Sequence, residues 1–236
     1  MNTSTFTAIR GAGALAVWND IPEELEDEYN NWYTNQHLPE RVGIDGFLRG
    51  RRFVRLSADG GGQKYFTLYE TESTATLRAA PYIERLNHPT EWTKRVTPAC
   101  LNSIRTACSV TTSVGQGTGG LATTVEFGAH TGQDSELRTW LSDIVLPTLV
   151  QEADIVAAHL FESDLETTSA KDPTVEQAAM SPRPTVTDRW FILVESTTEN
   201  GARAALQALT EGELSRRGAE EDVRSGTFRL LVGLSH

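Results

Sequence analysis

The sequence predicts an α+β fold made of two ferredoxin-like β-α-β-β-α-β repeats, and two internal matches support this prediction. Shifting the chain by 108 residues aligns Trp32–Phe53 with Trp140–Phe161, with five identities in 22 ungapped positions. Unrelated sequences of this composition would share about one. The identities include a Leu-Pro pair six residues after each Trp, so the match preserves a pattern as well as a composition.

A second match lies further along the chain at a different offset. Lys64–Glu70 and Arg189–Glu195 share three of seven positions, and their basic, aromatic and acidic residues coincide. The change of offset places an insertion in the second copy. The proline-containing stretch 164–187 is the candidate for this insertion, and we expect it to form a long, partly mobile loop.

The hydrophobic pattern predicts the same order of elements in both copies. In the first copy the strands and helical stretches are expected, in chain order, at Ala14–Trp18, Glu23–Arg41, Phe47–Leu56, Lys64–Glu70, Ser73–Arg95 and Asn102–Thr111. In the second copy they are expected at Leu121–Phe127, Ser135–Val150, Ile155–Glu162, Trp190–Glu195, Asn200–Arg217 and Thr227–Leu234. Each repeat leaves one sheet face uncovered, so we expect the two faces to be buried against each other.

The repeats are predicted to span residues 1–114 and 121–236, joined by a Gly-rich linker at 115–120. The glycines of this linker also fit the G-x-G-x-x-G pattern of dinucleotide-binding loops. Such a loop must open a helix whose N-terminus holds the pyrophosphate. Here the next predicted element is a strand, so the linker interpretation is favoured.

Composition and charge exclude several classes of function. The chain has 21 Lys and Arg against 32 Asp and Glu, a formal net charge of −11, so we expect no nucleic-acid partner. No basic segment or long apolar run predicts a membrane partner. Two cysteines and an N-terminus unlike a secretory signal predict a cytoplasmic protein. No His, Cys or acidic residues have the spacing of a metal site, so neither a metal nor another cofactor is expected.

The first helical stretch contains the strongest candidate for a catalytic residue, His37. Tyr29, Tyr33 and His37 recur at helical spacing, so His37 is expected to point towards the sheet. Pro39 is expected to end or kink the helix just after it. A histidine takes and gives a proton near neutral pH, which suits an acid/base residue at the rim of a cavity.

The alternative for His37 is a core histidine that is hydrogen-bonded to a backbone carbonyl. The second copy has Val145 at the equivalent position while it keeps the neighbouring Leu-Pro. The fold therefore does not need an imidazole there, which favours a functional role in the first copy.

The motif around His37 resembles a known family. The stretch Tyr29–Arg41 (YNNWYTNQHLPER), followed by Gly46-Phe47 and by Arg51–Phe53, is similar to EthD-like members of the dimeric α/β-barrel superfamily. It is most similar to an uncharacterised bacterial branch with the signature EYNxWYxxxHLPER. Asp45-Gly46 replaces the family's Pro-Gly, and His88 interrupts a later NPTxW segment.

The resemblance covers roughly residues 14–110 and implies a single-chain barrel of the dimeric type, in which the histidine matching His37 lines the active cavity. Related barrels include lactone isomerases, polyketide cyclases, monooxygenases, decarboxylases and heme enzymes, so the resemblance leaves the reaction open.

Further candidates lie on the strand Phe47–Leu56. Alternation places Arg49 and Arg51 on one face together with Phe47, and Arg51 or Arg49 would bind a carboxylate or phenolate if that face lines a cavity. Otherwise these arginines would reach solvent or pair with the acidic surplus. The repeat places His159 opposite Arg51, so the two are expected to approach the interior from opposite sides. The candidate walls of a pocket for a flat substrate, with core packing as the alternative, are Tyr33, Tyr65 and Trp92.

These observations favour a cofactor-independent acid/base enzyme, an isomerase or lyase, that acts on a small aromatic, lactone or polyketide-like compound through His37. Two alternatives remain open: a non-catalytic protein that binds a small hydrophobic ligand, and a heme-binding barrel. The expected partner is a small hydrophobic or aromatic molecule. The chain is expected to work as a monomeric pseudo-dimer or as a homodimer.

Overall fold

The computed structural model describes residues 8–56, 61–169, 173–180 and 182–236, which form a closed antiparallel barrel of eight strands. The strands are β1 (Gly13–Asp20), β2 (Phe47–Arg55), β3 (Tyr65–Thr71), β4 (Leu101–Gly115), β5 (Leu121–Phe127), β6 (Ile155–Ser163), β7 (Trp190–Ser196) and β8 (Arg224–Ser235). Their order around the barrel is β1-β3-β2-β8-β5-β7-β6-β4. The predicted fold class is confirmed. The N-terminal residues 1–7, on which the predicted compartment partly depends, lie outside the described residues.

Each half of the chain contributes four neighbouring strands, and the halves meet at two seams. β4 pairs with β6, with Thr112 opposite Leu160, and β2 pairs with β8, with Arg51 opposite Gly233. The edge strands of one half are thus hydrogen-bonded to those of the other. Closure in this way leaves no exposed sheet edge.

Helices cover the outer face of the barrel. They are α1 (Glu26–Trp32), α2 (Leu38–Val42), α3 (Ala80–Asn87), α4 (Glu91–Val96), α5 (Asp134–Trp140), α6 (Leu146–Leu149), α7 (Leu165–Thr168), α8 (Val175–Ala179), α9 (Glu199–Thr210) and α10 (Glu213–Arg216). Each half therefore runs β-α-β-β-α-β, as the hydrophobic pattern predicts, with α7 and α8 added within the insertion.

Pro39 does not end the helix that carries His37, which continues close to the predicted end of the helical stretch at Arg41. Residues Tyr33–His37 form a π-helical turn in which the Leu38 N–H donates to the Tyr33 carbonyl, five residues back, and α2 continues to Val42. Such a widened turn lets a helix continue past a proline, which lacks an N–H of its own. The second half has the same π-helical turn at Leu141–Val145, again before a Leu-Pro pair.

The barrel interior is filled by large apolar side chains from both halves. The Phe161 and Phe191 rings stack with their centroids 4.4 Å apart, and the Phe66 ring lies 6.4 Å from Phe191. The Trp18 ring contacts both Phe66 and Phe191, at 4.9 and 5.4 Å. The uncovered sheet faces that the sequence predicts are therefore buried against each other in a single core.

One residue of β2 lies on the opposite face from the one predicted. A bulge between Phe47 and Arg49 interrupts the alternation, because two residues of β2 oppose one of β3 at that point. Phe47 therefore packs under the helices with Tyr69 and Tyr82, whereas Arg51 and Phe53 point into the barrel.

The insertion 164–187 is not an irregular loop throughout. Its described residues include α7 and α8, and Thr174 forms a capping box with Gln177 at the start of α8. The segment crosses from the second half to the first, where Thr185 pairs with Ile104 and Met180 packs on the helical core. The insertion of one repeat thus covers part of the other.

Candidate functional site

A cavity of about 70 Å³ lies between the outer face of the first half's sheet and the helices that cover it. His37 and Tyr33 contribute to its walls, as do Leu15 of β1 and Tyr69 of β3. The insertion of the second half closes it with the side chains of Glu176, Gln177, Met180 and Pro184. The cavity is therefore built by the first repeat and completed by the second.

His37 is held in this cavity by aromatic contacts. Its ring lies 4.3 Å from the Trp32 ring and 4.9 Å from the Tyr33 ring, measured between centroids, and 8% of the residue is exposed. Nδ1 is buried and has no hydrogen-bond partner among the described residues. Burial, together with the charges of Arg41 and Arg52, holds the pKa of His37 well below its usual value. The imidazole is therefore neutral at pH 7, the form that has a free lone pair, and it is a weaker base than an exposed imidazole.

Tyr29, Tyr33 and Tyr69 line the same cavity as His37. The Tyr69 hydroxyl donates to that of Tyr33 at 3.1 Å, and the Tyr29 hydroxyl donates to Asn19 Oδ1 at 2.9 Å. Burial raises the pKa of all three tyrosines above the ordinary value of 10.0. These hydroxyls remain protonated at neutral pH, so they act as hydrogen-bond donors and not as bases.

Arg41 is a cavity residue that sequence reasoning missed. It follows His37 by four residues, and 2% of it is exposed. Its Nη2 donates to Glu176 Oε1 of the insertion at 2.6 Å, whereas its buried Nη1 has no hydrogen-bond partner in the described part of the chain. The i, i+4 spacing from His37 places both side chains on one helix face and was the available signal.

Arg52 is the second residue that sequence reasoning missed. Its guanidinium carbon lies 4.8, 4.6 and 4.3 Å from the ring centroids of Tyr29, Tyr33 and Tyr65, and its Nη2 donates to Asn30 Oδ1 at 2.7 Å. The aromatic faces stabilise the buried cation behind the cavity wall. The alternation of β2 placed it on the face opposite Arg51, but nothing in the strand indicated which face meets the helices.

The other predicted polar residues lie in the barrel interior, apart from the cavity. Arg51 Nη1 lies 2.8 Å from Glu195 Oε2 and its Nη2 lies 3.0 Å from Glu70 Oε1, while Arg49 Nε donates to Glu70 at 2.8 Å. His159 Nε2 lies 3.4 Å from Glu195 Oε1. Arg51 and His159 thus approach the interior from opposite sides, as the repeat predicts, and their side chains meet at Glu195.

This interior cluster is charge-balanced and closed. Its four fully buried members are Arg51, Glu70, His159 and Glu195. Burial alone would raise the pKa of Glu195, but the hydrogen bond from His159 and the charge of Arg51 outweigh it and lower that pKa to about 2. The arrangement gives the predicted substrate contact through Arg51, Arg49 or His159 no geometric support, and that role stays a prediction.

Of the three aromatic residues predicted to form walls, Tyr33 lies at the cavity surface. Tyr65 lies behind it, where it contacts Arg52 and its hydroxyl donates to Glu26 at 2.5 Å. Trp92 packs on the outside of the same helical core, and its Nε1 donates to Glu28 Oε1 at 3.2 Å. Of the three, Tyr33 alone borders the cavity. These positions do not test the predicted contact of the three residues with a substrate.

Two further kinds of chemistry receive no support at this cavity. Cys100 is one of its walls, but burial raises the pKa of this thiol to about 12, which opposes formation of a nucleophilic thiolate. The described residues contain no group of three His, Cys, Asp or Glu side chains that could hold a metal ion.

A heme does not fit the cavity around His37. Benzene occupies a cavity of roughly 150 Å³ in an engineered apolar core, whereas this cavity measures about 70 Å³. A porphyrin is several times larger than benzene. Its entry would displace Arg41 and the insertion from the positions they hold here.

Comparisons with known proteins agree with the architecture. No protein-family profile matches the chain, and no curated protein matches it. Among solved structures, an anthrone oxidase-like protein superposes with a TM-score of 0.63 at 10% identity, covering 97% of this chain and 95% of its own. A monooxygenase-like protein of Fusobacterium nucleatum gives 0.59 at 10%, covering 96% of each chain.

A chlorite dismutase-like protein gives a TM-score of 0.57 at 9% identity, covering 94% of this chain and 96% of its own. Identities this low show a shared fold and leave the function open. The finer resemblance to the EthD-like branch therefore stays a prediction. None of the helices in the described ranges is long and apolar enough to cross a membrane.

Proposed function

We propose that the chain is a cofactor-independent acid/base enzyme, an isomerase or lyase, in which His37 removes a proton from a small aromatic, lactone or polyketide-like compound. The observation that carries this proposal is the buried Nδ1 of His37, which has no hydrogen-bond partner among the described residues although His37 lines the cavity. The alternative, a core histidine that is hydrogen-bonded to a backbone carbonyl, is not supported at this nitrogen, because Nδ1 makes no such bond. The naming of one structural neighbour as anthrone oxidase-like is in keeping with a polycyclic aromatic ligand.

The size of the cavity limits how such a compound binds. About 70 Å³ is less than one benzene ring requires, so the cavity accepts the reacting end of a substrate only. A second cavity of about 200 Å³ shares Arg105, Gln177 and Pro184 with it. The substrate would occupy both cavities once the side chain of Gln177, which borders both, adopts another rotamer.

Proton abstraction can be tested before the complete reaction is known. Wild-type protein in D₂O is incubated with a panel of enolisable aromatic ketones and unsaturated lactones, and deuterium incorporation is followed by NMR. His37→Gln should lower the rate of exchange at least about 100-fold, the usual contribution of a general base. Gln has nearly the same volume as His and keeps the helix face filled.

His159→Gln is the matched control, since it removes the buried histidine of the barrel interior. It should retain exchange per folded molecule, which also tests the predicted substrate contact of His159. Exchange that survives in His37→Gln would contradict the proposal. Compounds that bind stoichiometrically and exchange no protons would instead support the ligand-binding alternative.

A further inference from the structure

The cavity around His37 carries an excess of positive charge. The charged side chains that face it are Arg41, Arg105 and, behind the tyrosines, Arg52, against one carboxylate, Glu176. The other titratable groups that face it are Tyr82, the neutral His37, and four residues whose pKa values are raised by burial: Tyr29, Tyr33, Tyr69 and Cys100. An anion in the cavity would therefore be stabilised, and the more so because the apolar walls exclude water.

Arg41 offers this anion a specific contact. Glu176 occupies one edge of its guanidinium through Nη2, while Nη1 remains a buried donor without a partner among the described residues. A buried N–H that is left unpaired costs free energy, which a ligand oxygen would recover on binding. Ser103 Oγ, also buried and unpartnered within the described ranges, lies in the same cavity wall.

We infer that Arg41 Nη1 binds the oxygen atom of the substrate that becomes negatively charged, so that the site selects phenols and enolisable carbonyl compounds. This inference rests on the proposed function. In the step concerned, the substrate's O–H or C–H bond breaks and its proton goes to a nitrogen of His37. The electron pair of the broken O–H bond stays on the phenol oxygen, or that of the broken C–H bond is delocalised onto the carbonyl oxygen, and Arg41 stabilises the negative charge that forms there. Glu176 positions the guanidinium and does not contact the substrate.

The inference is tested by binding, with a probe that is already ionised in solution. 4-Nitrophenolate at alkaline pH supplies the anionic oxygen, and nitrobenzene is its uncharged counterpart. Arg41→Met should weaken 4-nitrophenolate binding by about tenfold to a hundredfold, the range for a hydrogen bond between charged groups, and change nitrobenzene binding by less than about threefold. Isothermal calorimetry gives the affinities, and the visible spectrum reports the ionised form of the bound probe.

Arg105→Met is the matched control, because Arg105 is another cationic wall residue, and its Nη2 donates to the Tyr82 hydroxyl. It should change phenolate affinity by less than about threefold. Equal losses in Arg105→Met and Arg41→Met would overturn the inference, since the overall charge of the cavity would then account for binding. An unchanged affinity in Arg41→Met would overturn it as well.

Arg41→Met leaves the Glu176 carboxylate unpaired, so this variant could fail to fold. The double variant Arg41→Met/Glu176→Met removes the ion pair as a whole, so neither of its members is left without the other. It should show the same loss of phenolate affinity, and full affinity in the double variant would refute the contact. His37→Gln should still bind 4-nitrophenolate, so the failure of the anion contact and the failure of His37 as a base give different results.

Discussion

The two halves of the barrel share the same order of strands and helices but differ on the sheet face that meets the helices. In each half a π-helical turn precedes a Leu-Pro pair, and the same strands follow. Five polar or aromatic side chains at or behind the cavity of the first half are nevertheless aliphatic in the second, although Trp32 of the cavity wall is matched by Trp140. The corresponding pairs are Tyr33 and Leu141, His37 and Val145, Arg41 and Leu149, Arg52 and Leu160, and Tyr69 and Val194.

The positions that face the barrel interior are much more alike. The corresponding pairs there are Phe53 and Phe161, Phe66 and Phe191, Leu68 and Leu193, and Glu70 and Glu195. The comparison separates two demands on the sequence. The interior holds the two halves together and must be filled from both sides, whereas the outer face of each half can be aliphatic or functional independently.

The largest expected effect tests the shared interior. Arg51 lies between Glu70 of the first half and Glu195 of the second, and it is fully buried. Arg51→Met removes the cation and leaves two buried carboxylates without their common partner, so it should lower the free energy of unfolding by about 3–5 kcal/mol. Chemical denaturation at pH 7 measures the loss.

Arg49→Met is the control for this variant, because Arg49 contacts Glu70 but not Glu195 and its side chain is 11% exposed. The loss should be less than half as large, since Glu70 keeps Arg51 and the backbone N–H of Arg10. If both variants lost the same amount of unfolding free energy, the contact of Arg51 with Glu195 across the two halves would not be the source of the stabilisation.

A smaller effect is expected where the interior of the two halves differs. Glu126 of β5 corresponds to Trp18 of β1, and burial raises its pKa to about 7 although Arg189, Arg224 and Arg55 oppose this rise. A raised pKa means that the folded state holds the proton more strongly than the unfolded state. The protonated Glu126 carboxyl therefore contributes stability that is lost as pH rises from 4.5 to about 7.

Glu126→Gln removes this titration and should stabilise the protein by up to about 3 kcal/mol above pH 7, and by much less below pH 4.5. Thermal or chemical unfolding across this pH range measures the difference between variant and wild type. A difference that does not change with pH would show that the carboxyl titrates normally, and that Glu126 fills the place of Trp18 without a cost from its charge.

The fold could be predicted from the sequence because it depends on local and repeated patterns. All eight strands lie where alternation and internal matching put them, although β4 extends to Gly115, beyond the predicted Thr111. The extra residues pair with β6 across a seam, and such long-range pairing leaves no local signal. The bulge that turns Phe47 outward left none either.

The candidate site could be predicted only at His37 and Tyr33. Arg41 acquires its role from Glu176, which is 135 residues away in the sequence and comes from the insertion. Arg51 and Arg52 are adjacent arginines. Which of them lies in the barrel interior and which lies under the helices depends on the sheet face that the helices cover. That choice follows from the packing of the whole barrel, so no property of β2 alone could decide it.

The smallest expected change in stability tests whether His37 is needed for folding or for function. His37→Val transfers the residue of the second half to the first, and at pH 8 it should change the free energy of unfolding by no more than about 1 kcal/mol. The variant loses the contact with the Trp32 ring, but it also relieves the burial of an unpaired nitrogen. Chemical denaturation from pH 8 to pH 5 measures the net difference in the free energy of unfolding between the variant and the wild type.

The pKa of His37 predicts how the difference in stability between the variant and the wild type varies with pH. Because burial lowers the pKa of His37, only the unfolded chain takes up a proton there just below pH 6.5, and the wild type loses stability as the pH falls. His37→Val should lose less over the same range, with the remaining loss due in part to His159, whose pKa burial also lowers. A loss above about 3 kcal/mol at pH 8 would mean that the first half needs its histidine for packing, so that the divergence from Val145 would concern structure and the case for His37 as a base would fall with it.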